Sequence, residues 1–266
     1  MPSVESPYRT LSSYVPVLVQ AAILATVGWV GLHTGPGRIL SRTQAWLLIM
    51  LLLAGFAMVA GHGITGYWRG ILIDARFRLS LSRLQLLAWM LVVLSTIVTA
   101  ALTNDAYGSQ TALSISVPPE LWLLLGISTA SAIAAPAILS TKRSKTPDPG
   151  ELEKTTTQLR KDAQVEVDES RSGVVLYNQS PVYARWGDIL KGDESGNAST
   201  VDLGKLQMFF FTFVLVLGYA TAIVKLFDGA NAVGALPPID NSLNTLLGIS
   251  QTGYLANKAV PHSREA

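Results

Sequence analysis

The chain has 266 residues, of which 49% are hydrophobic and only 14% are charged, and its formal net charge is +2. Soluble proteins average about 25% charged residues, so this composition argues against an ordinary soluble domain. The small net charge, without a basic helix or an aromatic and basic stripe, gives no support for nucleic-acid binding. Because the chain contains no cysteine, disulfides, thiolate metal sites and cysteine nucleophiles are excluded.

Apolar stretches of membrane-spanning length recur along the chain. A transmembrane helix needs about 20 mostly apolar residues. Six stretches approach this length: Val15–Leu32, Ala45–Ile64, Leu84–Leu102, Leu121–Leu139, Leu206–Val224 and Leu243–Val260. The sixth is marginal, because it contains Asn244, Gln251, Asn257 and Lys258. We expect the first stretch to remain as an anchor, since no clear cleavage site follows it. The pattern predicts an all-α membrane protein with about six transmembrane helices.

The positions of the basic residues predict an orientation. Threading six spans from a cytoplasmic N-terminus places all but three of the 20 Lys and Arg residues on the cytoplasmic side. The exceptions are Arg38, Arg42 and Lys225. Cytoplasmic loops of membrane proteins carry an excess of Lys and Arg. We therefore predict a multi-pass protein with both termini in the cytoplasm.

An internal repeat organises the second part of the chain. Leu81–Leu86 returns as Leu203–Met208, and Leu124–Ser128 returns unchanged as Leu246–Ser250, both 122 residues later. The constant offset predicts a duplicated helical hairpin. Because both copies begin and end on the same face, they are parallel repeats, related by an axis along the membrane normal.

This repeat divides the chain into four predicted regions. A two-span hairpin covers residues 1–68, and the first repeat hairpin covers residues 69–140. A partly disordered cytoplasmic loop covers residues 141–201, and the second repeat hairpin covers residues 202–266.

Ten residues occupy matching positions in the two copies: Ser80, Arg83, Gln85, Gly126 and Ser128 in the first, and Asp202, Lys205, Gln207, Gly248 and Ser250 in the second. Ser80 and Asp202 suit helix N-caps, and the basic residues that follow can extend toward lipid phosphates. The small residues allow close helix packing. Capping, snorkelling and packing account for every shared residue, and a shared ligand site is the alternative.

A polar stripe distinguishes the last predicted span from its counterpart. Asn244, Gln251, Tyr254 and Lys258, together with Leu247, follow one another at steps of three and four residues. Polar groups that face hydrocarbon are costly, so the stripe should face other helices, a partner subunit or a wet cavity. Interhelical hydrogen bonding is one interpretation, and a solute path or partner surface is the other.

The long loop has two different halves. Residues 142–173 are polar and lack aromatic residues, which favours a flexible segment with a transient helix near residues 151–163. Val174–Tyr177 is strand-like. The spacing of Tyr183, Trp186, Ile189 and Leu190 predicts either a short amphipathic helix at the membrane interface or a simple loop turn.

No pattern in the sequence indicates a catalytic site, a cofactor or a metal site. Threading places His33 and His62 at opposite ends of their spans, which separates them too far to serve as two axial haem ligands. Asp193 and Glu194 lie in a glycine-rich loop, Gly192–Asn197, that has fewer oxygen ligands than a calcium loop needs. We predict a protein that is not an enzyme.

Several segments carry a resemblance to known proteins. Ile73–Arg76, Ser80–Gln85, Leu125–Thr129 and Asp202–Phe209 resemble segments of bacterial multi-span membrane proteins that lack an assigned function. The resemblance covers spans three to six. It implies location in a bacterial inner membrane, and it supplies no functional residues.

These observations favour a non-enzymatic scaffold in the inner membrane that docks a partner. The predicted partners are the lipid bilayer and a cytoplasmic protein bound through residues 174–201, with a homo-oligomer as a further candidate. The alternative function is a channel or carrier for a small solute or ion, using the polar stripe of the last span.

Overall fold

The chain folds into seven α-helices and one short β-hairpin, within the residues 7–163 and 171–265 that a computed structural model describes. The helices are α1 (Pro7–Leu32), α2 (Arg42–Thr65), α3 (Leu81–Thr103), α4 (Pro119–Ser140), α5 (Pro149–Ala163), α6 (Leu203–Phe227) and α7 (Asn241–Ala259). The hairpin consists of β1 (Arg171–Ser172) and β2 (Val175–Leu176), which pair antiparallel. The predicted helical class is confirmed.

Five of the described helices are long and apolar enough to cross a membrane: α1 from Tyr14 onward, α2, α3, α4 and α6. This confirms the prediction of a multi-pass membrane protein. The marginal sixth stretch forms α7, which is not among the five. The full number of spans, the duplication and the orientation stay predictions.

Local sequence signals set the boundaries of α2. Ser41 Oγ accepts a hydrogen bond from the Gln44 amide at 3.2 Å, and the Gln44 side chain accepts one from the Ser41 amide at 3.0 Å. This reciprocal capping box satisfies two amides that the first helical turn leaves open. At the other end Gly66 adopts φ +76°, a left-handed conformation that ends the helix and that glycine adopts without a steric cost.

The structure divides into two compact units. The first contains residues up to 71, residues 89–118 and residues 219–237. Its apolar core joins α1 to α2 through Val27, Val30, Ala45 and Ile49, with Val98 of α3 packed against them. Between membrane-spanning helices, van der Waals contacts of this kind favour association, because apolar side chains gain little from leaving lipid.

Two polar side chains tie together the loops of the first unit. The buried Arg42 guanidinium donates hydrogen bonds to the carbonyls of Asn231 and Gly229 and lies over the Tyr107 ring. The Asn104 amide donates to Val233 O at 2.9 Å and accepts from Val233 N at 2.8 Å. These contacts satisfy polar groups that burial would otherwise leave unpaired.

The second unit contains residues 72–88, 119–218 and 238–266. Within it α4 and α7 pack side by side and run in the same direction. Asn244 near the start of α7 donates to the carbonyl of Glu120 near the start of α4. At the other ends, the Lys142 ammonium donates to the carbonyls of Lys258 and Val260.

The loop between α4 and α6 contains a helix close to the predicted residues 151–163. Residues 149–163 form α5, and the Thr155 hydroxyl donates to the carbonyl of Ser195 at 2.6 Å. Residues 164–170 lie outside the described part of the chain. For residues 183–190 the sequence predicts either a short amphipathic helix or a simple loop turn. The structure has two 3-10 helices in this region, Pro181–Tyr183 and Trp186–Ile189.

Candidate functional site

The polar stripe of α7 faces the interior of the second unit. The side chains of Asn244, Gln251, Tyr254 and Lys258 are all buried, and so is Leu247 between them. An α-helix repeats every 3.6 residues, so positions three and four apart share one face. The stripe is therefore turned toward protein along the length of α7.

Each member of the stripe has a hydrogen-bonding partner. Asn244 Nδ2 lies 3.4 Å from the Glu120 carbonyl. The side-chain amide of Gln251 donates to Gln85 Oε1 of α3 at 2.5 Å. The hydroxyl of Ser82 lies 3.1 Å from that of Tyr254, and the Lys258 ammonium pairs with Asp193. The stripe thus connects α7 to α3, to α4 and to the loop before α6.

Several polar atoms near this stripe lack a partner. In the described part of the second unit, six such buried atoms lie on α3, α4 and α7: Gln85 Nε2, Ser128 Oγ, Ser131 Oγ, Asn244 Oδ1, Ser250 Oγ and Gln251 Oε1. Buried polar groups in proteins are almost always hydrogen-bonded, so each exception needs an explanation. The polar groups at the contact between α3, α4 and α7 are therefore only partly paired in hydrogen bonds.

A buried ionic cluster lies at one end of the stripe. Its members are Asp193, Arg76, Arg78, Lys205 and Lys258, and we call it the Asp193 cluster. Asp193 Oδ1 lies 2.8 Å from Arg76 Nη1, 3.0 Å from Lys205 Nζ and 3.5 Å from Arg78 Nη1. Asp193 Oδ2 pairs with Lys258 Nζ. Four cations from three separate stretches of the chain therefore share one carboxylate.

Two further carboxylates and several carbonyls balance the cations of this cluster. Asp74 pairs with Arg76 at 2.7 Å, and Asp188 lies 3.6 Å from Arg78. Lys205 Nζ also donates to the Lys191 carbonyl at 2.6 Å. Charges are buried at low cost only when they are paired and hydrogen-bonded, as they are here.

The glycine-rich loop Gly192–Asn197 fixes the position of the central carboxylate. The Asn197 side chain accepts from the Glu194 amide at 3.0 Å, which closes the turn. A Cβ added at Gly192 would lie 2.1 Å from Asn197 Oδ1, so only glycine fits there. The Leu176 amide donates to the Asp193 carbonyl at 3.0 Å, which ties the loop to β2.

A second buried ion pair holds the C-terminal segment. Glu194 Oε1 lies 2.5 Å from Lys142 Nζ, and Glu194 Oε2 accepts from the His262 amide at 3.0 Å. The Ser263 hydroxyl lies 2.9 Å from that of Ser195. The glycine-rich loop therefore binds both the end of α4 and the chain terminus.

The electrostatics of the cluster favour an ionised Asp193. Burial alone would raise the pKa of this carboxyl, but Arg76, Lys205, Lys258 and Arg78 together hold the pKa well below its usual range. Although burial opposes its charge, Asp193 and Asp74 raise the pKa of Arg76 above its ordinary value. Asp193 is therefore ionised at neutral pH.

The repeat residues occupy matching helix starts but different surroundings. Ser80 Oγ accepts from the Arg83 amide at 3.5 Å, and Asp202 Oδ1 accepts from the Lys205 amide at 3.1 Å. The predicted extension toward lipid phosphates is wrong for Lys205, whose ammonium is buried in the Asp193 cluster. Arg83 donates instead to the Ile73 carbonyl at 2.7 Å.

The remaining repeat residues also differ between copies. Gln85 is buried against Gln251, whereas Gln207 is exposed. Ser128 and Ser250 are both buried. The predicted close packing at Gly126 and Gly248 is not seen among the described residues, because a Cβ added at either glycine would meet none of their atoms.

Sequence reasoning missed the Asp193 cluster. Two signals were available in the sequence: the alternating charges of Asp74, Arg76 and Arg78, and the acidic pair in the glycine-rich loop. The two segments are 115 or more residues apart, so the sequence does not show that they meet. No group of three or more His, Cys, Asp and Glu side chains in the described residues could hold a metal ion. His33 stacks on Trp29, and His62 lies against Trp68, both in the first unit.

Compared with known proteins, the chain matches no family model, no curated protein and no solved structure.

Proposed function

We propose that this chain is a non-enzymatic scaffold of a bacterial inner membrane, in which residues 171–202 form a rigid platform that docks a cytoplasmic protein. The observation that carries the proposal is the Asp193 cluster. It holds the platform to the segment before α3, to the start of α6 and to the end of α7. A docking surface held in one geometry loses little conformational entropy when its partner binds.

We also propose that α7 is a sixth span with the C-terminus in the cytoplasm. The polar side chains of its stripe lower its hydropathy, yet these side chains are buried against α3, α4 and the glycine-rich loop that holds Asp193 rather than turned outward. A spanning helix can carry polar residues when neighbouring helices satisfy them. The parallel packing of α4 and α7, with nearby starts and nearby ends, supports the predicted parallel repeat.

Cysteine labelling from each side of the membrane tests this topology, because the chain has no cysteine of its own. Gln110, Ser144 and Arg264 are exposed and lie before α4, after α4 and after α7. The proposal expects labelling of Ser144→Cys and Arg264→Cys from the cytoplasmic side and of Gln110→Cys from the opposite side. Labelling of Arg264→Cys from the side that labels Gln110→Cys would exclude a sixth span.

Photo-crosslinking in intact membranes tests the docking function. Probes placed at Gln179 and Thr200, which are exposed on the platform, are expected to form the same discrete adduct. A probe at Gln110 is the matched control and should not form it. The adduct should also disappear in Asp193→Asn, which frees the platform. Absence of an adduct at both platform positions would contradict the proposal.

A channel or carrier for a small solute is the second candidate function. The six unpartnered polar atoms on α3, α4 and α7 favour it, because a helix contact that hydrates on opening would satisfy them. Permeation of water, glycerol, sodium and potassium into proteoliposomes tests this function. Asn244→Leu and Gln251→Leu should reduce permeation, whereas Gln207→Leu at the exposed matching position should not. Equal permeation by all three variants would exclude the stripe as the path.

A further inference from the structure

The platform carries large apolar side chains on its surface, beside the starts of two membrane-spanning helices. Trp186 is 63% exposed and Leu203, the first residue of α6, is 74% exposed. The other members of this group, which we call the rim residues, are Phe77, Val182, Tyr183 and Val201. Large apolar side chains left exposed in such numbers mark a surface that contacts something other than water.

Hydrogen bonds fix the position of this surface along the axes of α3 and α6. The Asp202 amide donates to the Leu190 carbonyl at 2.8 Å, and Lys205 Nζ lies 3.4 Å from the Asp188 carbonyl. The Leu79 amide donates to Asp188 Oδ2 at 3.4 Å. The second 3-10 helix, Trp186–Ile189, is thus held level with the first turns of α3 and α6.

The length of α6 places those first turns at the membrane surface. Its 25 residues extend about 37 Å at about 1.5 Å per residue. The hydrocarbon core of a bilayer is about 30 Å thick. The ends of α6 therefore reach the headgroup layer, where tryptophan and tyrosine rings are enriched because they combine an apolar body with a polar tip.

Backbone strain supports a role for one rim residue. Phe77 adopts φ +54°, a left-handed conformation that is costly for a bulky aromatic residue. Its amide donates to the Asp74 carbonyl, and its own carbonyl accepts from the Asn178 side chain at 2.7 Å. The ring nevertheless stays partly exposed instead of packing inward. Strained residues persist only where the surrounding structure holds them in place, and they cluster at functional sites.

We infer that the rim residues insert into the lipid headgroup layer and anchor the platform to the bilayer surface. Within residues 182–189, Ala184 and Ile189 are buried against protein, whereas the rim residues are exposed. The segment therefore has one side that packs on protein and one apolar side that faces outward. The rim residue Leu203 also shares one face of α6 with Phe210, seven residues later, and both are exposed. The inference rests on the assignment of α3 and α6 as membrane spans.

Spin labels on single cysteines in the full chain test this inference in liposomes of phosphatidylethanolamine and phosphatidylglycerol. The test sites are Trp186→Cys and Val201→Cys, the second of which keeps both aromatic rings. Gln158→Cys on α5 is the aqueous control and Phe213→Cys is the hydrocarbon control, since both positions are exposed. Collisions with oxygen report lipid, and collisions with a water-soluble nickel chelate report water.

The expected result is a position between the two controls. Collisions with nickel at both test sites should fall at least about threefold below those at Gln158→Cys, while collisions with oxygen remain substantial, because the site lies in the interface. Nickel access equal to that at Gln158→Cys would overturn the inference. Protection from both reagents would overturn it too, since a protein surface would then cover the rim. If Phe213→Cys itself were open to nickel, the spanning assignment would have failed instead.

Discussion

The ammonium of Lys205 lies 3.0 Å from the carboxylate of Asp193. Lys205 belongs to the first turn of α6, and Asp193 belongs to the loop that precedes this helix. A lysine at the start of a membrane span usually extends toward lipid phosphates. Here the shared carboxylate draws it inward together with Arg76, Arg78 and Lys258.

Asp193→Asn should strongly destabilise the second unit. The substitution keeps the size of the side chain but leaves four buried cations without their common counter-charge. Removing one partner of a buried ion pair costs about 3–5 kcal/mol. Thermal unfolding in detergent and limited proteolysis of residues 171–202 would measure the loss.

The matched control is Glu265→Gln, which removes the exposed pair between Glu265 and Lys145. Exposed pairs contribute little, because water screens them. Equal unfolding temperatures for the Asp193 and Glu265 variants would show that the Asp193 cluster does not hold the platform.

The pH dependence of stability should reflect the low pKa of Asp193. A carboxyl group whose folded pKa lies below its unfolded value contributes stability above the unfolded pKa, and this contribution is lost as pH falls through the folded value. The ordinary value is 3.8, and the folded pKa lies well below it. We therefore expect the contribution of Asp193 to be constant from pH 8 to about pH 5 and to be lost only in stronger acid.

Unfolding temperatures of the native chain and of Asp193→Asn, measured across this range, check the prediction. The difference between the two should stay constant near neutral pH and shrink below about pH 4. A difference that already shrinks between pH 7 and pH 5 would contradict the low pKa.

Replacing the two buried glutamines should give strongly non-additive effects. Gln85→Leu or Gln251→Leu alone leaves the other amide buried without its partner, at a cost of about 1 kcal/mol. The double variant removes both amides, so it should be no less stable than either single variant. A double-mutant cycle measured by unfolding in detergent isolates the coupling between the two side chains.

The repeat supplies the control for this cycle. Gln207→Leu changes the matching residue of the second copy, which is exposed, and should leave stability nearly unchanged. Strict additivity of the Gln85 and Gln251 substitutions would show that the two amides do not interact.

Two glycine substitutions should have opposite outcomes. A Cβ at Gly61 would lie 2.4 Å from the backbone nitrogen of Ile71, so the backbone would have to shift. Gly61→Ala should therefore destabilise the first unit by about 1–3 kcal/mol. The Cβ that Gly126→Ala adds would lie in open space, and alanine is a better helix former than glycine. The stability of this variant should therefore equal or slightly exceed that of the native chain.

Unfolding temperatures of both variants in detergent check this contrast. Destabilisation by Gly126→Ala under conditions that favour self-association would instead indicate that this face of α4 packs against a second copy of the chain. Unchanged stability of Gly61→Ala would contradict the close approach at Ile71.

The membrane-spanning helices could be predicted from the sequence, because they depend on local information. A run of about 20 apolar residues has few stable alternatives to a helix in lipid. Helix caps at Ser80 and Asp202 are equally local. The stripe of α7 was also predictable, since Asn244, Gln251, Tyr254 and Lys258 share one face whenever their segment is helical.

The partners of these residues depended on the tertiary structure. The spacing of residues in the sequence does not show whether Gln251 pairs with Gln85 or with the matching Gln207. Helix packing in the folded chain decides between them. The platform shows the same limit, since Asp193 and Glu194 pair there with residues far away in the sequence. Pairing of charges distant in sequence depends on which chain segments meet after folding, and sequence by itself determines only that the charges exist.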